Sequence, residues 1–102
     1  MIFVETPTFT RRVLELLDDD SYAKLQNHLA HRPDAGDLIR GSGGLRKIRW
    51  AAKGRGKSGG VRVIYYWWVA NDRISMLLVY PKNEQDDLTT SQVKLLRQAL
   101  EL

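Results

Sequence analysis

The sequence has 102 residues, with 16 Lys/Arg against 12 Asp/Glu, 43% hydrophobic residues and no cysteine. A chain of that size supports one core burying roughly 65% of its unfolded surface, and its composition is that of a folded domain rather than a disordered one. The missing cysteines exclude disulfides, thiolate metal sites and cysteine nucleophiles.

The net charge of +4 is unevenly spread. Between Leu38 and Asn71 stand eight bases (Arg40, Arg46, Lys47, Arg49, Lys53, Arg55, Lys57 and Arg62) and no acid, which leaves the rest of the chain at −4. Such segregation points to a polyanionic partner, with RNA or DNA foremost. No apolar run approaches the ~20 residues of a membrane span. Met1 to Glu5 shows neither the basic nor the apolar region of a signal peptide. The expectation is one domain over residues 1–102, cytoplasmic and away from membranes.

In chain order, Ile2 to Val4 reads as a short strand. Thr6-Pro7 supplies an N-cap and a first-turn proline for a helix with Phe9, Val13, Leu16 and Leu17 on one face. Asp18-Asp19-Asp20-Ser21 caps a second helix, whose stripe is Tyr22, Leu25, Gln26 and Leu29. That helix ends before Pro33, in a turn-rich stretch.

Past Gly41-Ser42-Gly43-Gly44 the period changes to two. Leu45 to Ala52 forms a strand with Arg46, Ile48 and Trp50 on one side and Leu45, Lys47, Arg49 and Ala51 on the other. Val61 to Val69 is apolar on both faces except at Arg62, as a central strand requires. Asn71-Asp72 turns the chain into a strand over Arg73 to Tyr80. A last helix opens with Thr89 as N-cap and Gln92 completing a capping box, and Leu88 stapled onto Val93. The order β-α-α-β-β-β-α predicts an α+β domain of two layers, a small antiparallel meander with helices on one face. The other face would carry Lys47, Arg49, Arg62 and a few aromatic rings.

Gly54-Arg55-Gly56-Lys57-Ser58-Gly59 has the letters of a dinucleotide-binding loop. Such a loop must open a helix, whereas this one leads into a strand, so the reading fails on context. A kinase glycine loop lacks the catalytic residues it serves, and a P-loop lacks its first glycine, because Ala51 stands there. Lys53, Arg55 and Lys57 alternating with glycines favour a loop gripping nucleic-acid backbone over a plain solvated tip. His28 and His31 sit near a helix end that suits their charge, and no acidic ligand motif accompanies them, so no metal site is expected. Of the run Tyr65-Tyr66-Trp67-Trp68, alternation sends Tyr65 and Trp67 inward. Tyr66 and Trp68 share a face with Arg62, where they either stack on a base or simply pack.

Several segments in this order carry a resemblance: Gly36-Asp37-Leu38-Ile39, Gly41 to Arg49, Lys53 to Tyr66, Tyr80-Pro81-Lys82-Asn83-Glu84, and Asp87-Leu88. Over roughly Ala35 to Leu100 the chain resembles the RelE/ParE superfamily of toxins from bacterial toxin–antitoxin pairs, nearest the HigB-like branch. The resemblance implies a RelE-like fold and a toxin that cleaves mRNA, in most relatives at the ribosomal A site. Attack of a ribose 2′-OH on the adjacent phosphate builds charge on the non-bridging oxygens and moves two protons. Fixed cations can stabilise that charge without a metal or other cofactor, each worth about 10²–10³ in rate.

By position, the resemblance assigns Arg62 to the scissile phosphate and Lys47 and Arg49 to a basic pair beside it. Lys82 falls in the segment after the last strand. Relatives carry an arginine and a tyrosine there, at places that hold Asn83 and about Thr89 in this chain. Tyr66, Tyr80 or Glu84 then takes the part of the missing tyrosine. Arg46, Lys53, Arg55, Lys57, Trp68 and Asn83 complete the expected RNA-contacting set. The expected partners are mRNA, the ribosome and a cognate antitoxin with an acidic segment, with or without a helix-turn-helix domain. Two other functions compete: gyrase inhibition of the ParE kind, and RNA binding without catalysis.

Overall fold

The computed structural model describes residues 1–52, 60–85 and 87–102. Its helices among these residues are α1 (Pro7–Leu16), α2 (Asp19–His31) and α3 (Thr90–Ala99). Its strands are β1 (Ile2–Glu5), β2 (Asp37–Leu38), β3 (Leu45–Trp50), β4 (Val61–Trp68) and β5 (Arg73–Pro81). They join in one sheet ordered β1-β5-β4-β3-β2.

The predicted caps form. Thr6 Oγ1 accepts from Phe9 N at 3.0 Å, and the same hydroxyl donates to Leu77 O at 2.8 Å, which pins the start of α1 to β5. Asp18 caps α2 through Ser21 N at 2.7 Å. Thr89 and Gln92 make the reciprocal capping box of α3. In each case a side-chain oxygen satisfies a backbone donor that the first helical turn leaves open.

The α+β class and the RelE-like architecture expected from the sequence hold, with three differences in detail. First, the sheet is mixed: β3, β4 and β5 form the antiparallel meander, but β1 lies parallel to β5 at the edge. A parallel neighbour needs a long crossover, and here most of the chain between the two strands provides it. Second, the turn-rich stretch after α2 contributes a short outer strand, β2, paired antiparallel to β3. Tyr65 sets its position, donating its hydroxyl to Pro33 O and accepting from Gly36 N, both at 2.8 Å. A Cβ on Gly36 would come within 2.8 Å of that ring, so glycine is required there.

Third, the helices do not share one face. The helices α1 and α2 pack Phe9, Val13, Leu16, Leu25 and Leu29 onto Ile48, Val61, Val63, Tyr65, Ile74 and Met76. On the opposite face lies a smaller cluster of Leu45, Ile64, Leu77 and Tyr80, covered by Leu88, Val93, Leu96 and Leu100 around α3. The cause is visible in β4 and β5. Ile64 puts an apolar side chain on the second face, and an irregularity in register opposite Ile64/Tyr65 lets Leu77 and Leu78 both pack there. Apolar surface on both faces demands cover on both. The α3 cover is partial, because none of its residues is fully buried.

Candidate nucleic-acid interface

The strand register assembles the basic residues. Arg49 on β3 lies directly opposite Arg62 on β4, and Arg62 lies directly opposite Tyr80 on β5. Lys47, two residues before Arg49, sits opposite Ile64 on the same face. Directly paired residues of neighbouring strands project to one side, so Lys47, Arg49, Arg62 and Tyr80 form one continuous patch beside the start of α3. The side chain of Arg62 belongs to the interior, at only 7% exposure, while Arg49 is exposed. Among the described residues, no carboxylate lies within ion-pair distance of either arginine. Two like-charged side chains directly opposite each other repel. An arriving phosphate would relieve both the repulsion and the desolvation of Arg62.

Lys47 does have an anionic neighbour. Its ammonium donates to Asp87 Oδ1, just ahead of α3. This hydrogen bond, together with the charge of Lys47 and then that of Arg62, holds the Asp87 carboxyl below its ordinary range. Asp87 is therefore an ionised acceptor at neutral pH, and it is strongly exposed. It entered the sequence reading only as part of a matching segment, without a role. The signal available was a carboxylate two residues ahead of the N-cap Thr89, which the capping pattern alone does not explain.

Other candidates are placed elsewhere. Glu84 turns toward α1, where its Oε2 accepts from Arg12 at 3.3 Å, so it is engaged away from the basic patch. Arg46 points to the α1/α2 side and donates to Gly36 O at 2.8 Å and Asp34 O at 3.2 Å, bracing the approach to β2. Lys82 and Asn83 lie exposed in the turn after β5.

Tyr66 and Trp68 are on the face of Arg62 but near the other end of β4. Six residues separate Trp68 from Arg62, about 20 Å along a strand. Their rings meet edge to face at 4.7 Å; Trp68 donates to Ser75 Oγ at 2.9 Å, and Arg73 lies 5.1 Å over its ring. Lys53, Arg55 and Lys57 lie outside the described residues. His28 packs on Trp50 at 5.5 Å, and His31 Nδ1 contacts Asn27 O at 2.8 Å.

A groove of about 370 Å³ runs alongside Lys47 and Asp87, bounded on its other side by β2 and the residues after it. Basic floor, acidic neighbour and open groove thus lie together on one sheet face of a small α+β domain.

The family model described as "RelE toxin of RelE / RelB toxin-antitoxin system" matches residues 14–101. The chain belongs to the RelE toxin family, and its class is the toxin of a toxin–antitoxin pair. No helix among the described residues is long and apolar enough to cross a membrane.

Proposed function

We propose that the protein is an mRNA endoribonuclease that cuts message in the ribosomal A site and so halts translation in the cytoplasm. The observation that carries this reading is the buried Arg62, faced by the like-charged Arg49 with Lys47 on the same side. A fixed cation that costs desolvation and has no carboxylate within ion-pair distance among the described residues is suited to charge that arrives with a substrate.

In this mechanism Arg62 and Arg49 hold the non-bridging oxygens of the scissile phosphate as the 2′-oxygen attacks. Lys47 adds a third cation beside them. Asp87, ionised and bonded to Lys47, accepts the proton of the 2′-OH, and Lys47 can deliver one to the departing 5′-oxygen. Asp87 thereby takes the part for which Tyr66, Tyr80 and Glu84 were candidates. Tyr80, buried directly opposite Arg62, lies beside it on the same side of the sheet. Lys82, Asn83 and the loop bases Lys53, Arg55 and Lys57 contribute grip on RNA backbone away from the reacting phosphate. A cognate antitoxin would neutralise the basic face with an acidic segment.

A translation reaction followed by primer extension on the message tests the reading. Wild type should produce discrete cuts within codons, and Arg62→Ala should leave the message intact. Identical full-length transcripts from both proteins would sink it.

A further inference from the structure

The Gly41-Ser42-Gly43-Gly44 turn between β2 and β3 closes on a buried hydroxyl. Ser42 is fully buried, and its Oγ donates to Ile39 O at 2.6 Å and accepts from Leu45 N at 3.0 Å. The Ser42 carbonyl faces α3, where it accepts from Arg97 Nη1 at 2.5 Å across 55 residues of chain. A Cβ on Gly43 would stand 1.8 Å from that nitrogen and 2.9 Å from Arg97 Cζ, so the turn is shaped around the guanidinium. Gly41 is the contrast. Its φ of +74° matches the +73° of Gly43, yet a Cβ there would meet nothing within 4 Å. Arg97 is half-buried, and among the described residues no carboxylate lies within ion-pair distance of it. Its bond to the carbonyl is charge-assisted, roughly twice as strong as one between neutral groups.

The helix α3 needs such an anchor. None of its residues is fully buried, and Val93 and Leu96 of its stripe are only partly buried against the second sheet face. Ahead of its start, Asp87 reaches Lys47 from an exposed position, and a contact between exposed charges holds an element weakly. We propose that Arg97 is a positioning residue: clasped by the Gly41-Ser42-Gly43-Gly44 turn, it fixes α3 on the sheet and thereby holds Asp87 against Lys47. The consequence for catalysis rests on the endoribonuclease reading, whereas the consequence for Asp87 does not. Thr90 to Arg97 spans about 10 Å of helix, so a shift at the far end is carried to the near one. With Arg97 released, α3 moves over its half-buried cluster and Asp87 meets solvent instead of the ammonium. The Asp87 carboxyl, held below its ordinary range by Lys47 and then by Arg62, then returns toward 3.8.

The test follows Asp87 by carbon-13 NMR of side-chain carboxyls through an acid titration of the whole chain, with no RNA present. Arg97→Met keeps the apolar stem and removes the donor, whereas Arg97→Lys keeps a cation that reaches for the same carbonyl. Gly43→Ala displaces the guanidinium, and Gly41→Ala carries the same backbone strain without touching it. Asp87 should titrate near 3.8 in Arg97→Met and Gly43→Ala, and below it in wild type, Arg97→Lys and Gly41→Ala. In a translation reaction the first two variants should lose about tenfold in kcat with KM unchanged, less than removal of the Asp87 carboxylate itself. Should Arg97→Met not fold, the two glycine variants decide. An Asp87 titration in Arg97→Met like that of wild type, or equal shifts in the two glycine variants, would overturn the inference. The expected titrations without any cleavage by wild type would uphold the positioning of Asp87 and remove the endoribonuclease.

Discussion

The two faces of the sheet are built from the same strands yet answer to different demands. On the α1/α2 side Phe9, Leu25, Leu29, Val61, Val63, Tyr65, Ile74 and Met76 are completely buried, and Arg46 is turned to bracing backbone carbonyls. On the α3 side four fully or nearly buried apolar residues are covered by half-buried ones, and the same layer admits Arg62. The first face is where apolar area is removed from water, at about 25 cal/mol per Å². The second gives up part of that gain to keep cations at hand. Residues one position apart on β3 and β4 can therefore have opposite roles, as Arg46 and Lys47 do.

The largest expected effect tests the first face. Phe9→Ala should lower the unfolding free energy by about 3–5 kcal/mol, whereas Leu96→Ala, half-buried on α3, should cost about 1 kcal/mol. Urea denaturation measures both, and equal costs would erase the distinction between the faces. Next in size is Arg62→Met, which keeps the length of the side chain. It should reduce cleavage by about 10²–10³-fold while stability stays level or rises, because a desolvated cation and its repulsion with Arg49 are both removed. A clear fall in stability would make Arg62 part of the structural core instead.

Asp87→Asn should cut turnover by about a hundredfold and leave RNA affinity unchanged or higher, since Lys47 is released to bind phosphate. Unchanged turnover in a single-turnover assay would remove Asp87 from the proton-transfer role. The smallest effect is in pH. The folded carboxyl of Asp87 titrates below its ordinary value of 3.8 because of Lys47. A depressed carboxylate contributes stability that is fully present above the unfolded pKa and lost as pH falls through the folded one. The melting temperature of wild type should therefore exceed that of Asp87→Asn at near-neutral pH, and the two should converge in acid below the ordinary carboxylate range. A difference that persists there would mean the Lys47–Asp87 contact is not its source.

Much of this organisation was legible in the residues. Thr6-Pro7, Asp18 and the Thr89/Gln92 pair act through hydrogen bonds that span three residues, so local sequence was sufficient to place all three helix starts. Alternation along Leu45 to Trp50 separated Arg46 from Lys47 and Arg49, and alternation along β4 set Arg62 with Tyr66 and Trp68. The two-sided apolar character of Val61 to Trp68 already required cover on both faces, although the helix stripes alone suggested one. Glu84 illustrates the opposite case: its partner Arg12 is 72 residues away, and no local pattern pairs them. Tyr66 and Trp68 share the arginine's face, yet face membership says nothing of distance along a strand.

The amino-acid sequence by itself determined the elements, the segregation of eight bases into one stretch, and the face on which each strand residue projects, because these follow from hydrogen bonds and periodicities of a few residues. Only the tertiary structure decided that β1 lies beside β5, that α3 closes the second face, and that Asp87 meets Lys47 across 40 residues. Those contacts depend on strand register and on which apolar surfaces remain to be covered, and both are properties of the assembled sheet. The charge segregation thereby becomes a candidate site: three cations in adjoining strand positions, with a carboxylate brought to them from just ahead of a helix.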